Sequence, residues 1–308
     1  SGCGAIRVDY GRGTMSIGSL GPEEFERTLA EFIRPSTPID SFEHLVDREL
    51  QLQSAEEALA SRGRHVFIYG EPGVGKTSLA HTIAYRHESS AELPVFCACG
   101  RQTDFASVIR DVVAQLAGRS QLHAQEATRS VGVQAAGLSA GFSVKASAKP
   151  IAETIDLNLA TSLLHEATAG RRQRAIVVID EFENLGDPQD RRRFAELIKQ
   201  LSDRQVALAL VFCGIGRSLD ELLEGHASAH RYLEGIKVPP LAFERRQAIV
   251  ARAAEALGIE VDWQVLIQIA NVSDGFPHYV HLIAQKMFWQ AFRQPEPVEE
   301  IGRAQYLE

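Results

Sequence analysis

Cysteine, long apolar runs and excess positive charge are all scarce or missing in this 308-residue sequence. The four cysteines, Cys3, Cys97, Cys99 and Cys213, lack the spacing of a secreted disulfide framework, and the pair two residues apart is typical of one face of a strand rather than of a metal clip. No run approaches the roughly 18 apolar residues of a membrane span, and the N-terminus has no apolar signal-peptide core. We therefore expect a reduced, cytoplasmic protein without membrane contact.

Acidic residues outnumber basic ones by 40 to 32, which gives a formal net charge of −8. This balance does not support general nucleic-acid binding, so any DNA contact would have to be local. Two arginine clusters could provide such a contact, and we interpret both as solvated helix and loop faces. The clusters are Arg171, Arg172 and Arg174, and the run Arg191, Arg192 and Arg193.

Short apolar runs alternate with helical patterns over most of the chain and then give way to helices alone. This alternation predicts an α/β fold with a parallel five-stranded sheet flanked by helices, followed by a small all-helical lid domain. Strands are predicted at 65–69, 94–99, 175–179, 206–212 and 236–238. Helices are predicted at 104–117, ending near Gly118, and in the lid at 244–257, 262–271 and 277–292.

The domain boundaries follow from the same patterns. Residues 1–20 are interpreted as a flexible leader or a non-native remainder, because the stretch before Met15 is Gly-rich and has no starting Met. Residues 21–240 form the predicted core, which begins with an amphipathic helix at Pro22. Residues 131–146 alternate apolar and small side chains and predict a hairpin inserted in that core. The lid takes 241–308.

The strongest motif lies between the first predicted strand and the helix after it. Its residues match the pattern G-x-x-x-x-G-K-[ST] and are Gly70, Glu71, Pro72, Gly73, Val74, Gly75, Lys76 and Thr77, followed by Ser78. Glycines let consecutive main-chain amides turn toward phosphates, and the helix adds its positive end. A lysine can neutralise the β- and γ-phosphates, and a threonine hydroxyl suits Mg²⁺. The motif predicts a site for ATP and Mg²⁺.

A second motif completes this site. The apolar strand Ala175-Ile-Val-Val-Ile ends in Asp180 and Glu181, at the edge of an open α/β sheet where ligands bind. We predict that Asp180 holds Mg²⁺ through water and that Glu181 orients the attacking water. Together the two motifs predict an ATPase that converts ATP and water to ADP and phosphate.

With both motifs in place, the chain resembles the AAA+ P-loop ATPases, in particular the bacterial members near the origin-recognition and STAND groups. The resemblance extends from about residue 39 to residue 292. It implies that Arg48, in a box where Asp47 replaces the usual glycine, borders the adenine. It also implies a sensor strand ending at Cys213 and Gly214, where a polar residue is usual.

The resemblance further implies residues that respond to the γ-phosphate. Arg231, just before the last strand, is the preferred arginine finger acting on a neighbouring subunit, with Arg217 as the competing candidate and an ordinary surface arginine as the plain alternative. His278 stands where an arginine of the lid usually senses nucleotide, and a structural role at the helix start is equally open for it.

The leading interpretation is a regulatory ATPase that works as a homo-oligomer and switches a protein partner. One alternative is an ATP-dependent DNA loader or transposition-type regulator. Another is a nucleotide-binding scaffold with weak hydrolysis, because both sensor positions depart from the family pattern.

Overall fold

The computed structural model describes residues 17–38, 45–87, 93–130, 155–171, 173–224, 229–296 and 298–303. The chain divides into two compact units. One runs from Pro38 to Pro239, and the other combines the residues up to Thr37 with those from Pro240 onward. The predicted hairpin at 131–146 lies outside the described residues.

The first unit is built on five parallel strands in the order β2-β3-β4-β1-β5. The parallel five-stranded sheet is thereby confirmed. The last strand begins three residues before its predicted start, because it is an edge strand whose half-buried Glu234 and exposed Gly235 and Lys237 dilute the apolar signal. The strands are β1 (His65–Tyr69), β2 (Val95–Ala98), β3 (Ala175–Asp180), β4 (Leu208–Gly214) and β5 (Leu233–Lys237).

In the described part of this unit, one helix precedes the sheet and five lie between its strands. They are α2 (Glu49–Ala60) before β1, then α3 (Lys76–His87), α4 (Phe105–Ser130), α5 (Leu157–Thr168), α6 (Pro188–Asp203) and α7 (Gly216–Glu224). Asp104 caps α4 as expected, since its Oδ1 accepts a 2.7 Å bond from the Ser107 amide. The predicted end of α4 near Gly118 is wrong. A glycine inside a helix costs only about 1 kcal/mol and does not by itself stop the helix.

Aromatic rings fill the core beneath the C-terminal ends of the strands. Phe67 of β1, Phe212 of β4 and Phe194 of α6 all contact Phe182, with ring centroids 5.0 to 5.7 Å apart. All four side chains are fully buried. Phe182 directly follows Glu181, so the segment after β3 is anchored in the core at this point.

The second unit is mainly helical and contains α1 (Pro22–Phe32), α8 (Phe243–Leu257), α9 (Trp263–Val272) and α10 (Pro277–Phe292), with a parallel pairing of β6 (Glu260–Val261) and β7 (Glu300–Ile301). The N-terminal helix was expected in the sheet core, but it belongs here. The reason is its apolar stripe, since Phe25 stacks on Phe292 at 4.1 Å and meets Trp289 edge-on at 4.8 Å. Among the helices of the described ranges, none is long and apolar enough to cross a bilayer.

Candidate functional site

The loop of residues 70–75 follows β1 and leads into α3, and two of its glycines are needed for different reasons. Gly75 has φ +95°, a backbone conformation that L side chains rarely adopt, although a Cβ there would meet no atom. A Cβ on Gly70 would lie 2.5 Å from the carbonyl oxygen of Val238. The loop therefore combines a left-handed turn with a close main-chain approach.

Lys76 begins α3 and turns its ammonium group back over the loop. Its Nζ donates to the carbonyl oxygens of Gly70, at 3.2 Å, and Glu71, at 3.0 Å. The amides of the first helical turn have no partner within the helix and carry the positive end of its dipole. The lysine and these amides thus form a positively polarised cradle suited to an anion.

Thr77 and Asp180 meet at the C-terminal edge of the sheet. The Thr77 hydroxyl donates to Asp180 Oδ2 at 2.7 Å, and Oδ1 of the same carboxylate accepts from the Glu181 amide at 2.9 Å. A hydroxyl beside a carboxylate is a pair of hard oxygen donors of the kind that Mg²⁺ takes from proteins. Mg²⁺ usually takes only one or two carboxylates from a protein and keeps several of its waters.

Glu181 has an unusual backbone and a fixed side chain. Its φ and ψ of 54° and 41° are left-handed, which is uncommon for a residue other than glycine. The Asn184 side-chain amide donates to Glu181 Oε2 at 3.0 Å and to the Cys99 carbonyl at 3.1 Å. Asn184 thereby links the carboxylate to the end of β2. Sequence reasoning missed this residue, because only the bend of the chain after β3 brings Asn184 close to Glu181 and Cys99.

β4, which the resemblance identifies as the sensor strand, ends at Gly214 beside the loop. Gly214 accepts a 3.3 Å bond from the Gly70 amide, and the Cys213 thiol lies 3.9 Å from the Lys76 carbonyl. Burial raises the pKa of Cys213, so the thiol is neutral and a weak donor. A Cβ on Gly214 would lie 3.3 Å from Glu183 Oε2. The Glu183 carboxylate therefore lies at the end of β4, a position that sequence reasoning did not predict.

Arg48 lies under the loop, with its guanidinium bonded to main chain. It donates to the carbonyls of Asp47 at 3.0 Å, Val74 at 3.1 Å and Pro239 at 2.8 Å. The side chain is only 2% exposed, and burial lowers its pKa. Asp47 has φ +60°, which explains why glycine is usual there and why aspartate is tolerated. The observed bonds support the loop from below.

The remaining predicted site residues lie on other elements of the chain. His278 lies in the helical unit, at the start of α10, with its Nδ1 3.0 Å from the Pro35 carbonyl oxygen. Arg231 is exposed just before β5, whose first residue pairs with His65 at the start of β1, so it lies at the sheet edge opposite the loop. Arg217 is on the loop side, 83% exposed and 2.9 Å from Glu221.

Two arginines of the basic clusters are structural rather than solvated, which corrects the sequence interpretation. Arg174 bonds the carbonyls of Leu208, Ser61 and Arg64, and burial lowers its pKa to about 10. Arg191 is buried, with Glu221 at 2.6 Å. Both guanidinium groups have acceptors that only the folded chain brings close to them. The number of arginines in a sequence cluster does not show this.

Comparison with known proteins identifies the family and the fold. The family model of the AAA ATPase domain matches residues 44–211, more than half of the chain. No curated protein matches in sequence. The chain is similar in structure to the Walker-type ATPase paby2304 of Pyrococcus abyssi, with 14% identity, a TM-score of 0.57, and coverage of 80% of this chain and 69% of that one.

Two further solved structures share the fold. Similarity to the Aeropyrum pernix ORC1 protein in complex with DNA has a TM-score of 0.53 at 18% identity and covers 85% of this chain and 64% of that one. Similarity to a Thermotoga maritima RuvB variant has a TM-score of 0.53 at 16% identity and covers 88% and 70%. With the parallel sheet, the glycine loop and the acidic strand end in one unit, the chain belongs to the AAA+ P-loop ATPase family.

Proposed function

We propose that this chain binds ATP with Mg²⁺ at the loop of residues 70–77 and hydrolyses it as a regulatory switch. The observation that carries the proposal is the 2.7 Å contact between Thr77 and Asp180, at the start of the helix whose Lys76 turns its ammonium back over the loop. The contact brings the two motifs into a single site with an anion cradle on one side and hard oxygen donors on the other.

Each residue has a distinct role in this proposal. The amides of residues 71–78 bind phosphate oxygens, and Lys76 exchanges its carbonyl partners for the β- and γ-phosphates. Thr77 and Asp180 hold Mg²⁺, which neutralises charge on the phosphates when bound. Glu181 orients the attacking water, and Asn184 holds that carboxylate in place. Arg48 contributes to nucleotide binding by supporting the loop through the Val74 carbonyl, and this role does not depend on a contact with the adenine.

The test is nucleotide binding by calorimetry combined with single-turnover hydrolysis. Lys76→Ala should lose most of its ATP affinity, whereas Lys286→Ala, an exposed lysine of α10, should bind like wild type. Glu181→Gln should bind ATP but turn it over at least 100-fold more slowly, the lower range for removing a general base. Well-folded wild type that takes up no adenine nucleotide would overturn the proposal.

Assembly is the second part of the proposal. Arg231 is exposed at the edge opposite its own loop, so we assign it to the site of a neighbouring copy, where a planar cation can meet transition-state charge. Mixing Arg231→Ala with Lys76→Ala protein should restore part of the activity that each lacks. Activity per subunit that stays flat across the concentrations where oligomers form would exclude a finger that acts between subunits, whether it is Arg231 or Arg217.

The same assays separate the alternatives. Strong stimulation by DNA would favour the loader, a reading that the internal positions of Arg174 and Arg191 make less attractive. Tight ATP binding with no turnover, with or without DNA, would favour the scaffold. We expect neither outcome, and we propose a protein partner, with His278 and the lid responding to the bound nucleotide.

A further inference from the structure

The guanidinium group of Arg48 joins two segments of the first unit through a single nitrogen. Its Nη2 donates to the carbonyl oxygen of Val74 at 3.1 Å and to that of Pro239 at 2.8 Å. Val74 belongs to the glycine-rich loop of residues 70–77, and Pro239 is the last residue of this unit before the chain enters the helical unit. A cation that is only 2% exposed is costly unless its donors are paired. Main-chain carbonyls provide that pairing here, so both segments depend on the same side chain.

The bond to Val74 fixes the direction of the peptide unit between Val74 and Gly75. A trans peptide is planar, and its carbonyl oxygen and its N–H point in opposite directions. The Gly75 amide is therefore directed away from the guanidinium that holds the Val74 oxygen. Gly75 has φ +95° and no side chain that could hold this orientation itself. Arg48 thus orients one of the amides that the proposed function assigns to phosphate.

Residues 238–241 form the connector from the sheet to the helical unit, and it is also held beyond Arg48. In the helical unit the Leu241 amide donates to the Gly275 carbonyl at 2.7 Å. A Cβ on Gly275 would lie only 2.6 Å from the Cβ of Pro240, so the connector and this turn are in close contact. The order of the connector can therefore be read at the Leu241 amide.

We propose that Arg48 is a positioning residue that couples phosphate binding at Gly75 to the order of the connector. This inference rests on the proposed function, and it gives Arg48 a role other than the adenine contact that the family resemblance implies. An anion that accepts from the Gly75 amide polarises the peptide and makes the Val74 carbonyl a stronger acceptor, because hydrogen bonds in a chain strengthen one another.

The geometry of the guanidinium passes this effect to the connector. Nη2 carries two hydrogens in one rigid plane, so a firmer bond to Val74 also fixes the direction of the bond to Pro239. The connector then loses freedom as far as Leu241. Coupling between two sites is reciprocal, so loosening the connector lowers the affinity of the loop for nucleotide.

The first test measures hydrogen exchange at the Leu241 amide in the wild-type chain. Saturating ADP should slow this exchange about fivefold or more. The Glu260 amide, bonded to the Glu299 carbonyl at 2.9 Å in the same unit, is the internal control and should not change. ADP that binds without slowing exchange at Leu241, or that slows both amides equally, would overturn the inference. A wild-type chain that binds no ADP would instead remove the proposed function itself.

The same measurement on Arg48→Met protein tests the residue. At saturating ADP its Leu241 amide should exchange as fast as without nucleotide, because the link to the loop is gone. Arg192→Met, at an exposed position on α6, should respond like wild type. Slowing of the wild-type size in Arg48→Met would show that another route connects the loop to the connector, and would overturn the inference.

The second test disturbs the connector from the helical unit. Gly275→Ala places a Cβ against Pro240 and should weaken ADP binding about threefold or more, although the loop itself is unchanged. In an Arg48→Met background the same change should have little effect, since the two positions are coupled. Gly118→Ala, whose Cβ meets no atom, should leave ADP affinity unchanged. Equal losses in both backgrounds, or no loss in either, would overturn the inference.

Discussion

The Thr77 hydroxyl donates a 2.7 Å hydrogen bond to Asp180, although 103 residues separate the two in sequence. Parallel strands make this meeting possible, because β1 and β3 both end at the same edge of the sheet on either side of β4. The helix start after one strand and the carboxylate of the other therefore face the same space.

Replacement of Thr77 by valine should separate metal binding from nucleotide binding. Valine keeps the shape of threonine but removes the hydroxyl, so the affinity for Mg-ATP should fall about tenfold or more while affinity for ATP in EDTA changes little. Calorimetry with and without Mg²⁺ measures both, and Thr77→Ser serves as the control that keeps the hydroxyl. Equal losses in the two conditions would mean that Thr77 acts on the loop and not on the metal.

Arg48→Met should weaken both the fold and nucleotide binding. It removes the bonds to the Val74 and Pro239 carbonyls and leaves the buried Val74 carbonyl without a donor, at a cost of about 1–3 kcal/mol. Urea unfolding and ADP calorimetry measure the two effects. Arg48→Lys should rescue little, because an ammonium cannot reproduce the planar fork.

The matched control for Arg48 is Arg192→Met, at an exposed position on α6. It should leave stability and affinity unchanged. A normal ADP affinity in Arg48→Met protein of reduced stability would contradict a role in supporting the loop.

His65 should make folding stability depend on pH. Burial, with a smaller effect of the Arg174 charge, lowers the pKa of His65 from 6.5 to about 3, and its Nδ1 accepts a 3.0 Å bond from the Leu210 amide. The neutral ring is therefore favoured in the folded state. Stability is fully present above pH 6.5 and falls by about 1.4 kcal/mol per pH unit toward pH 3, because only the unfolded chain takes up the proton.

Urea unfolding of His65→Leu protein between pH 7.5 and 4 checks this prediction. The variant should be less stable at pH 7.5, since the Leu210 amide loses its acceptor, and should decline less steeply below pH 6.5. His230→Gln, at an exposed position, should keep the wild-type slope. An unchanged slope in His65→Leu would show that this ring is not responsible.

Two glycine-to-alanine changes should differ, because one should weaken ATP binding and the other should raise the free energy of unfolding. Gly70→Ala puts a Cβ 2.5 Å from the Val238 carbonyl and should distort the loop, with a loss of ATP affinity. Gly118→Ala meets no atom inside α4 and should stabilise the protein by about 0.5–1 kcal/mol. Calorimetry and thermal melting of both variants provide the measurement. ATP affinity in Gly70→Ala equal to wild type would contradict the tight approach.

Sequence alone predicted the sheet and the glycine-rich loop of residues 70–77 because both follow from local sequence patterns. β1 and α3 flank a motif whose spacing is fixed by main-chain geometry, and β3 is a continuous apolar run that ends in Asp180. Such features need no knowledge of distant contacts.

Residues whose roles depend on distant partners could not be predicted this way. Glu183 and Asn184 follow an apolar strand like many solvated residues, and only the folded chain brings them to Gly214 and to the Cys99 carbonyl. Arg174 belongs to an apparently solvated cluster, yet its guanidinium donates to main-chain carbonyls such as that of Leu208 at the start of β4. In each case the role of the residue depends on a tertiary contact that the local sequence pattern does not contain.

The turn of Lys76 back onto the carbonyls of Gly70 and Glu71 has a final consequence for the working cycle. These bonds give the ammonium acceptors of its own, so the loop keeps its shape between one nucleotide and the next. On the proposed function, the empty loop would stay ordered after product leaves, and the rate of reloading would depend on how quickly a phosphate displaces these two carbonyl oxygens from Lys76.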